Sequence, residues 1–287
     1  MGRGRLWGEC TGEFLGVLVL VFFGVGSVNT AVLAGAQQGL WQVAVVWGVG
    51  IALAIYAVGS VSGAHLNPAI TVAMAIWRGF PGAKIAPYMA AQLAGAMCGS
   101  LVLYGLFAGM IAHFEAAHHL VRGGPGSELS AMVFGQYFPN PAMVGTTPEA
   151  YAQVSLLTAM VAEGIGTAFL ACFVFALTEP RNPGAPRWMA PLFIGLTVSA
   201  IISIVAPLTQ AGLNPARDFG PRLVCYLLGW GEVAIPGPRG GFFTVYILSP
   251  MVGAVVGGGL YQLVVRPHLP LPAPGRPAAE PRGQEAW

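Results

Sequence analysis

The chain has 287 residues, of which 55% are apolar and 8% are charged, whereas roughly a quarter of the residues in a typical soluble domain are charged. Its formal net charge at pH 7 is only +2, and its basic residues form no patch interleaved with aromatic side chains, so a nucleic-acid partner is not expected. A soluble globular protein is excluded, because one soluble core could not bury so much apolar sequence. The composition therefore predicts an integral membrane protein.

Apolar stretches without Asp, Glu, Lys or Arg recur along the chain and predict where it crosses a membrane. One helical crossing needs roughly 20 mostly apolar residues, and turn-forming residues separate the stretches. They predict an all-α membrane protein with six transmembrane helices, near residues 11–33, 40–60, 85–110, 151–177, 189–207 and 242–264. Residues 111–150, which include Gly, Pro, His and Glu, are predicted to form an outer loop, and the Pro-rich residues 266–287 a disordered cytoplasmic tail.

Two further apolar segments, near 67–78 and 214–228, are too short to cross a bilayer. Each begins with Asn-Pro-Ala, a typical helix start, because Asn caps a helix and Pro fits its first position. We therefore predict two half-helices that enter the membrane and stop partway, starting at Asn67, Pro68 and Ala69 and at Asn214, Pro215 and Ala216. A third Asn-Pro-Ala, at 140–142, is followed by no adequate apolar segment and is predicted to be a loop turn.

The two halves of the chain, about 5–110 and 151–265, resemble each other. Glu13-Phe-Leu-Gly in the first helix corresponds to Glu163-Gly-Ile-Gly in the fourth, and the following Asn-Pro-Ala lies 54 residues later in one half and 51 in the other. Three crossings per half is an odd number, so the second copy must be inverted in the membrane. Inverted repeats place interrupted helices near the midplane, and we expect the two half-helices to meet there end to end.

Basic residues are unevenly distributed between the predicted loops, which sets the expected orientation. One side holds Arg3, Arg5, Arg78, Lys84, Arg181, Arg187, Arg266, Arg276 and Arg282, and the other only Arg122 and Arg239. The positive-inside rule then places both termini in the cytoplasm. We expect a multi-pass protein of the cell (inner or plasma) membrane, surrounded by lipid.

The predicted meeting point of the half-helices has chemistry suited to neutral, hydrogen-bonding molecules. Each helix N-terminus carries about half a positive charge, which repels cations, and the two Asn side chains can donate hydrogen bonds. Non-helical backbone at membrane depth must line a wet cavity or be buried in protein. The loops before the half-helices therefore predict a series of carbonyl acceptors, at Gly63, Ala64, His65, Leu66, Gln210 and Gly212.

Three acidic residues and one Arg lie in apolar surroundings, where charge is costly unless paired. We expect Glu13 and Glu163 to brace the two loops by accepting backbone N–H bonds, with a proton relay as the alternative. Arg217 follows the second Asn-Pro-Ala, and its guanidinium could hold two adjacent hydroxyl groups; the alternative is an ion pair with Asp218 or Glu163. Asp218 is predicted to have a structural role.

Residues 62–69 (SGAHLNPA) and 212–222 (GLNPARDFGPR) are similar to motifs of the aquaporin superfamily, and Asp218 after Arg217 resembles its glycerol facilitator branch. The loop pieces 118–123 and 137–141 also resemble bacterial glycerol facilitators, so the similarity covers about residues 5–270. It implies one transmembrane channel domain, 1–265, folded as a right-handed bundle of six helices and two re-entrant half-helices. It also implies a homotetramer with one pore per subunit.

The resemblance places a selectivity filter on the outer side, at Trp47, Ile202, Ala211 and Arg217. The bacterial pattern has an aromatic residue where Ala211 stands and a Gly where Ile202 stands. The combination found here is closer to that of plant nodulin-26-like channels. This leaves an alternative open: a channel that prefers lactic acid, urea or metalloid hydroxides.

The leading hypothesis is a passive channel for glycerol and other small uncharged solutes, with some water, that excludes protons and ions. A transporter coupled to protons through Glu13 or Glu163 is the second hypothesis, and a membrane enzyme is the third. No enzymatic activity, cofactor or metal site is expected. The cluster His113, His118 and His119 lies in an outer loop without Cys or paired acidic ligands, and the four Cys form no C-x-x-C pair.

Overall fold

The computed structural model describes residues 3–182, 184 and 187–270. In chain order its helices are α1 (Arg3–Ala34), α2 (Leu40–Ser62), α3 (Pro68–Arg78), α4 (Ile85–Ala117), α5 (Glu128–Ala131), α6 (Pro141–Val144), α7 (Pro148–Ala152), α8 (Leu156–Leu177), α9 (Ala190–Thr209), α10 (Pro215–Cys225) and α11 (Ser249–Leu260). Wider π-helical turns extend α11 at both ends, at Phe243–Leu248 and Tyr261–Val265.

Within these described ranges, six helices are long and apolar enough to cross a membrane, which confirms the predicted number. Three ends differ from the prediction by more than a turn of helix: α1 begins at Arg3, α4 continues to Ala117, and α8 begins only at Leu156. The late start of α8 has a local cause, because the Ser155 side chain caps it by accepting the Thr158 N–H.

The half-helices α3 and α10 have 11 residues each, about half the number that a membrane crossing requires. Each starts with Pro at its first position, after an Asn whose side chain caps the first turn. α3 stops at Gly79, which adopts a left-handed conformation (φ 72°), as is common for a glycine after a helix. α10 runs on into a π-helical turn, Tyr226–Trp230.

The two halves of the chain pack in corresponding ways. In the first half α1 packs against α2 and α4, and in the second half α8 packs against α9 and α11. α2 and α9 contact each other at the junction of the halves. Each half-helix packs against the last helix of the opposite half, α3 against α11 and α10 against α4, so the halves interlock around the centre.

Small residues allow the helices to approach closely, as is typical in membranes. At Gly95 in α4, an added Cβ would overlap the carbonyl oxygen of Phe14 in α1. At the corresponding contact of the second half, a Cβ on Gly253 would overlap the carbonyl oxygen of Gly164. By contrast, Gly105 in α4 has open space at its Cβ position.

The third Asn-Pro-Ala forms one helical turn, α6, within the outer loop. Asn140 caps this turn by accepting the Ala142 N–H at 3.1 Å. Its Nδ2 donates to the Ala206 carbonyl, also at 3.1 Å, which fastens the loop to α9. The residue therefore anchors the loop and does not start a third half-helix.

The segment predicted to form a disordered tail, 266–287, begins with residues that the structure describes. Arg266–His268 form a 3₁₀ turn, because the Arg266 Nε donates to buried Glu179 at 2.9 Å. Burial alone would raise the pKa of Glu179, but the hydrogen bonds from the Arg181 backbone and from Arg266, with the charge of Arg78, hold that pKa below its ordinary value. The rest of the predicted tail, from residue 271, lies outside the described residues.

We expect Gly95→Ala to destabilise the protein by about 1–3 kcal/mol, because the new methyl group would push α1 and α4 apart. Gly105→Ala in the same helix is the matched control and should be neutral or slightly stabilising. Thermal unfolding of both purified variants in detergent measures the difference. Equal midpoints for the two variants would contradict the close packing at Gly95.

Candidate functional site: a central pore

The tips of the two half-helices are joined by a reciprocal pair of hydrogen bonds. Asn67 Nδ2 donates to the Leu213 carbonyl at 2.9 Å, and Asn214 Nδ2 donates to the Leu66 carbonyl at 2.7 Å. Each Asn Oδ1 meanwhile accepts a backbone N–H from its own helix. Since an amide nitrogen carries two hydrogens, each side chain keeps one donor for a passing molecule, and both line the central cavity.

Two buried glutamates hold the loops that lead to these tips. Glu13 accepts the N–H groups of His65 and Leu66 at 2.9 and 2.7 Å. Glu163 accepts those of Gly212 and Leu213, both at 2.7 Å. Further donors reach the carboxylates from side chains, Gln92 on Glu13 at 2.7 Å and Thr209 on Glu163 at 2.6 Å. These contacts are the ones expected if the two glutamates hold the loops in place.

The braced loops have an unusual backbone. Five of their non-glycine residues have positive φ, namely Ala64, Leu66, Gln210, Ala211 and Leu213, with values between 43° and 60°. Such conformations persist only where the surroundings impose them. The glutamate hydrogen bonds supply that constraint.

One cavity extends along both loops, and its lining is of two kinds. Hydrogen-bonding groups come from residues 63–67 and 211–214 together with Arg217. Apolar side chains come from Trp47, Ile51, Ile55, Val174, Ile194 and Val198. A molecule in this cavity therefore meets both hydrogen-bonding groups and hydrocarbon.

Arg217 is buried, and its guanidinium carbon lies 4.2 Å from the centre of the Trp47 ring. The ring in turn lies against Gly24, where a Cβ would overlap it. The Nη1 of Arg217 is buried and has no hydrogen-bond partner within residues 3–182, 184 and 187–270. Stacking on an aromatic face, with a free donor, suits the recognition of a polar solute.

The alternative ion pair of Arg217 with Asp218 or Glu163 is wrong, since neither carboxylate lies within ion-pair distance of it in the described structure. Asp218 instead pairs with Arg222 at 2.6 Å and accepts the Gln136 N–H at 2.8 Å. This pairing engages Asp218 with Arg222 and leaves the Arg217 guanidinium beside the cavity.

Two predicted residues do not line the cavity. Ile202 is buried, but α9 contributes Ile194 and Val198 to the lining. The three residues share one face of α9 at four-residue spacing, and the cavity follows this face only as far as Val198. Gln210, which was predicted for its carbonyl, is also outside this lining, and its side chain accepts the Tyr137 N–H of the outer loop at 2.8 Å.

Sequence reasoning missed two buried polar residues that support the site. Gln92 joins Glu13 to Thr71, to which its Nε2 donates at 3.1 Å. Arg222 donates to Asp218 and to the Ala234 carbonyl. The signals were present, because both are polar residues inside apolar segments and Asp218 and Arg222 have the i,i+4 spacing of a helical ion pair.

We expect Glu163→Gln to destabilise the protein by about 1–3 kcal/mol, because an amide has one acceptor oxygen and would turn its NH₂ group toward a backbone donor. Glu149→Gln, at an exposed position in α7, is the matched control. Thermal unfolding in detergent measures both. A Glu163→Gln midpoint equal to that of the control would contradict the brace.

Comparison with known proteins gives a consistent result over nearly the whole chain. The major intrinsic protein family matches residues 2–261. The glycerol uptake facilitator protein of Pseudomonas aeruginosa is 44% identical over 267 residues, which cover 92% of this chain and 91% of that protein. The glycerol uptake facilitator protein of Escherichia coli K12 is 42% identical over 267 residues, 92% of this chain and 90% of that protein.

A propanediol uptake facilitator of Citrobacter freundii is 41% identical over 264 residues, 91% of this chain and 93% of that protein. Among solved structures, the aquaglyceroporin from Plasmodium falciparum superimposes with a TM-score of 0.77 at 25% identity, covering 91% of this chain and 98% of that one. The fold is thus the aquaporin-like bundle that the sequence motifs predict. The chain is a multi-pass membrane protein and belongs to the major intrinsic protein family.

Proposed function

We propose that the protein is a passive channel for glycerol and other small uncharged solutes, with some water, that excludes protons and ions. The observation that carries the proposal is the cavity at the joined tips of the half-helices, which is lined by both hydrogen-bonding groups and apolar side chains. The relatives at 41–44% identity are named for the uptake of glycerol or propanediol. These names do not favour the alternative of lactic acid, urea or metalloid hydroxides.

The cavity suits a polyol because such a solute has hydroxyl groups along a short carbon chain. Its hydroxyl groups can donate to loop carbonyls and accept from Arg217 and the two Asn amides, while its carbon atoms lie against Trp47 and Ile51. Both faces of the solute are then satisfied without full hydration. A charged solute would lose its hydration shell and gain no counter-charge.

Ion exclusion follows from the charges that face the cavity. Two helix N-termini and the Arg217 guanidinium present positive charge to it. The carboxylates nearby, Glu13, Glu163 and Asp218, are each occupied by donors. A cation would therefore meet repulsion at the centre and find no free carboxylate.

The same contacts argue against the two other hypotheses. A proton-coupled transporter needs a carboxylate that can exchange its proton with the pathway, whereas each loop glutamate accepts two backbone N–H groups and a side-chain donor. Membership of a channel family is consistent with the expectation that the protein is not an enzyme.

We further propose a homotetramer in the cell (inner or plasma) membrane, with both termini in the cytoplasm. The distribution of Arg and Lys supports this orientation. Outward-facing apolar side chains such as Leu157 and Ile204, which are 68% and 76% exposed, provide surface for lipid or for a neighbouring subunit.

Light scattering by proteoliposomes tests the proposed function. An inward glycerol gradient should give fast swelling at the same rate with and without a pH gradient. Empty liposomes are the control. Swelling that requires a pH gradient would contradict a passive channel.

We expect Arg217→Val to admit protons or small cations, or to abolish the preference for glycerol, because it removes both the positive charge and the hydroxyl-binding donors. A pH-sensitive dye inside the vesicles measures proton leak, and light scattering measures glycerol entry. Arg187→Val, at an exposed position outside the pore, is the control. Unchanged leak and selectivity would contradict a filter role for Arg217.

We expect Ala211→Phe to slow glycerol more than water, because a ring at this position would narrow the cavity wall. The substitution keeps a Cβ, so it makes no new demand on the left-handed backbone there (φ 55°). Stopped-flow light scattering gives both permeabilities, with Ala36→Phe in an exposed loop as the control. An equal loss of both fluxes would contradict the placement of Ala211 in the filter.

A further inference from the structure

We propose that Tyr88 and Tyr246 are a symmetry-related pair of positioning residues that fix the start of each carbonyl loop. The proposal rests on the pore described above and extends it to two residues that lie outside the cavity lining. It assigns each tyrosine hydroxyl to the point where a transmembrane helix ends and its loop begins.

The two hydroxyl groups make equivalent contacts. Tyr88 in α4 donates to the carbonyl of Ser62, the last residue of α2, at 2.8 Å. Tyr246, in the turn before α11, donates to the carbonyl of Thr209, the last residue of α9, at 3.1 Å. Both tyrosines are 1% exposed. The two acceptors each lie five residues before the Asn of the following half-helix.

The acceptor residues also use their side chains in the same way. Ser62 Oγ accepts the Ala64 N–H at 3.0 Å, and Thr209 Oγ1 accepts the Ala211 N–H at 3.2 Å. Each helix end is therefore held through both its carbonyl and its hydroxyl. The last carbonyls of a helix have no partner within the helix, so an external donor is needed at this depth.

These contacts and the glutamate braces together account for the N–H groups of both loops. Ser62 and Glu13 accept those of residues 64–66, and Thr209 and Glu163 accept those of residues 211–213. With each of these N–H groups engaged inside the protein, the groups left for a solute are loop carbonyls other than those of Leu66 and Leu213, which accept the Asn amides. A shift at the first residue of a loop would move every carbonyl after it.

The tyrosine rings occupy equivalent places as well. The Tyr246 ring lies against Gly212, where an added Cβ would be 2.9 Å from a ring atom. The Tyr88 ring centre is 5.3 Å from that of His65. Gly212 and His65 both lie two residues before the Asn. Each tyrosine therefore contacts its loop at two points, which fixes the direction of the loop as well as its start.

The surroundings of the two hydroxyl groups differ. Tyr88 Oη lies 3.5 Å from Glu9, which pairs with Lys84 at 2.6 Å, so the first contact is connected to an ion pair. The Tyr246 ring has the Arg222 guanidinium 5.0 Å from its centre, and Arg222 pairs with Asp218. Both tyrosines are thus held in place from outside the loops.

The test compares Tyr88→Phe and Tyr246→Phe with Tyr261→Phe in a lipid nanodisc. Tyr261 is the matched control, because it is 2% exposed and its buried hydroxyl has no hydrogen-bond partner in the described part of the chain. Amide hydrogen exchange is followed in peptides spanning 62–67 and 209–214. Each of the first two variants should accelerate exchange in its own loop by roughly two- to tenfold, the effect of one lost hydrogen bond, and Tyr261→Phe in neither loop.

The same variants are reconstituted, and the ratio of glycerol to water permeability is measured. This ratio should fall for Tyr88→Phe and Tyr246→Phe and stay at the wild-type value for Tyr261→Phe. Should one tyrosine variant fail to fold, the other is read alone, because each tyrosine contacts its own loop and Tyr261→Phe serves as the control for both.

Unchanged exchange in both loops, or acceleration spread over the whole protein, would overturn the proposal. The exchange experiment does not depend on the solute. A wild-type protein that passes no glycerol would therefore refute the proposed function and leave the positioning role to be decided by the exchange in the two loops.

Discussion

The pore depends on one constraint: two short loops of non-helical backbone lie within the membrane, where no solvent satisfies unpaired N–H groups. Glu13 and Glu163, which are fully buried, satisfy these N–H groups by accepting hydrogen bonds from them. Five non-glycine residues of the loops have positive φ, at about 1–2 kcal/mol each. Four backbone hydrogen bonds to the carboxylates contribute about 1.5–3 kcal/mol each, so the braces and the strain are of similar size.

The inverted repeat explains why this solution occurs twice, and the differences between the copies explain why the pore is not symmetric. The first half-helix carries Ile70 and Thr71 where the second carries Arg217 and Asp218. The charges are therefore concentrated at one end of the cavity. Asp218 pairs with Arg222, whereas the Arg217 guanidinium stacks on the Trp47 ring. Under the proposed function, the second copy therefore adds the groups that recognise the solute to a scaffold that both copies share.

The sequence was sufficient for the features that depend on local chemistry. Charge-free stretches predicted six crossings, and Asn-Pro-Ala predicted two half-helices, because caps and membrane lengths are local properties. The sequence was not sufficient to predict which side chains line the cavity or contact the loops, because this depends on the direction in which each side chain points. Ile202, predicted for the filter, lies away from the cavity lining, and Tyr88 and Tyr246 donate to backbone carbonyls far along the chain. The spacing of residues in the sequence does not predict such contacts, because they form only when the two halves of the chain pack together.

Ala211 and Arg217 line the same cavity. The Nη1 of the Arg217 guanidinium has no hydrogen-bond partner among the described residues. Trp47 holds the guanidinium from one face and is itself fixed against Gly24. The donor is therefore rigid and unsatisfied at once. A hydroxyl group that reaches it replaces a missing hydrogen bond without displacing one that already exists, and for a neutral solute this gain is not offset by the cost of bringing a charge into the membrane.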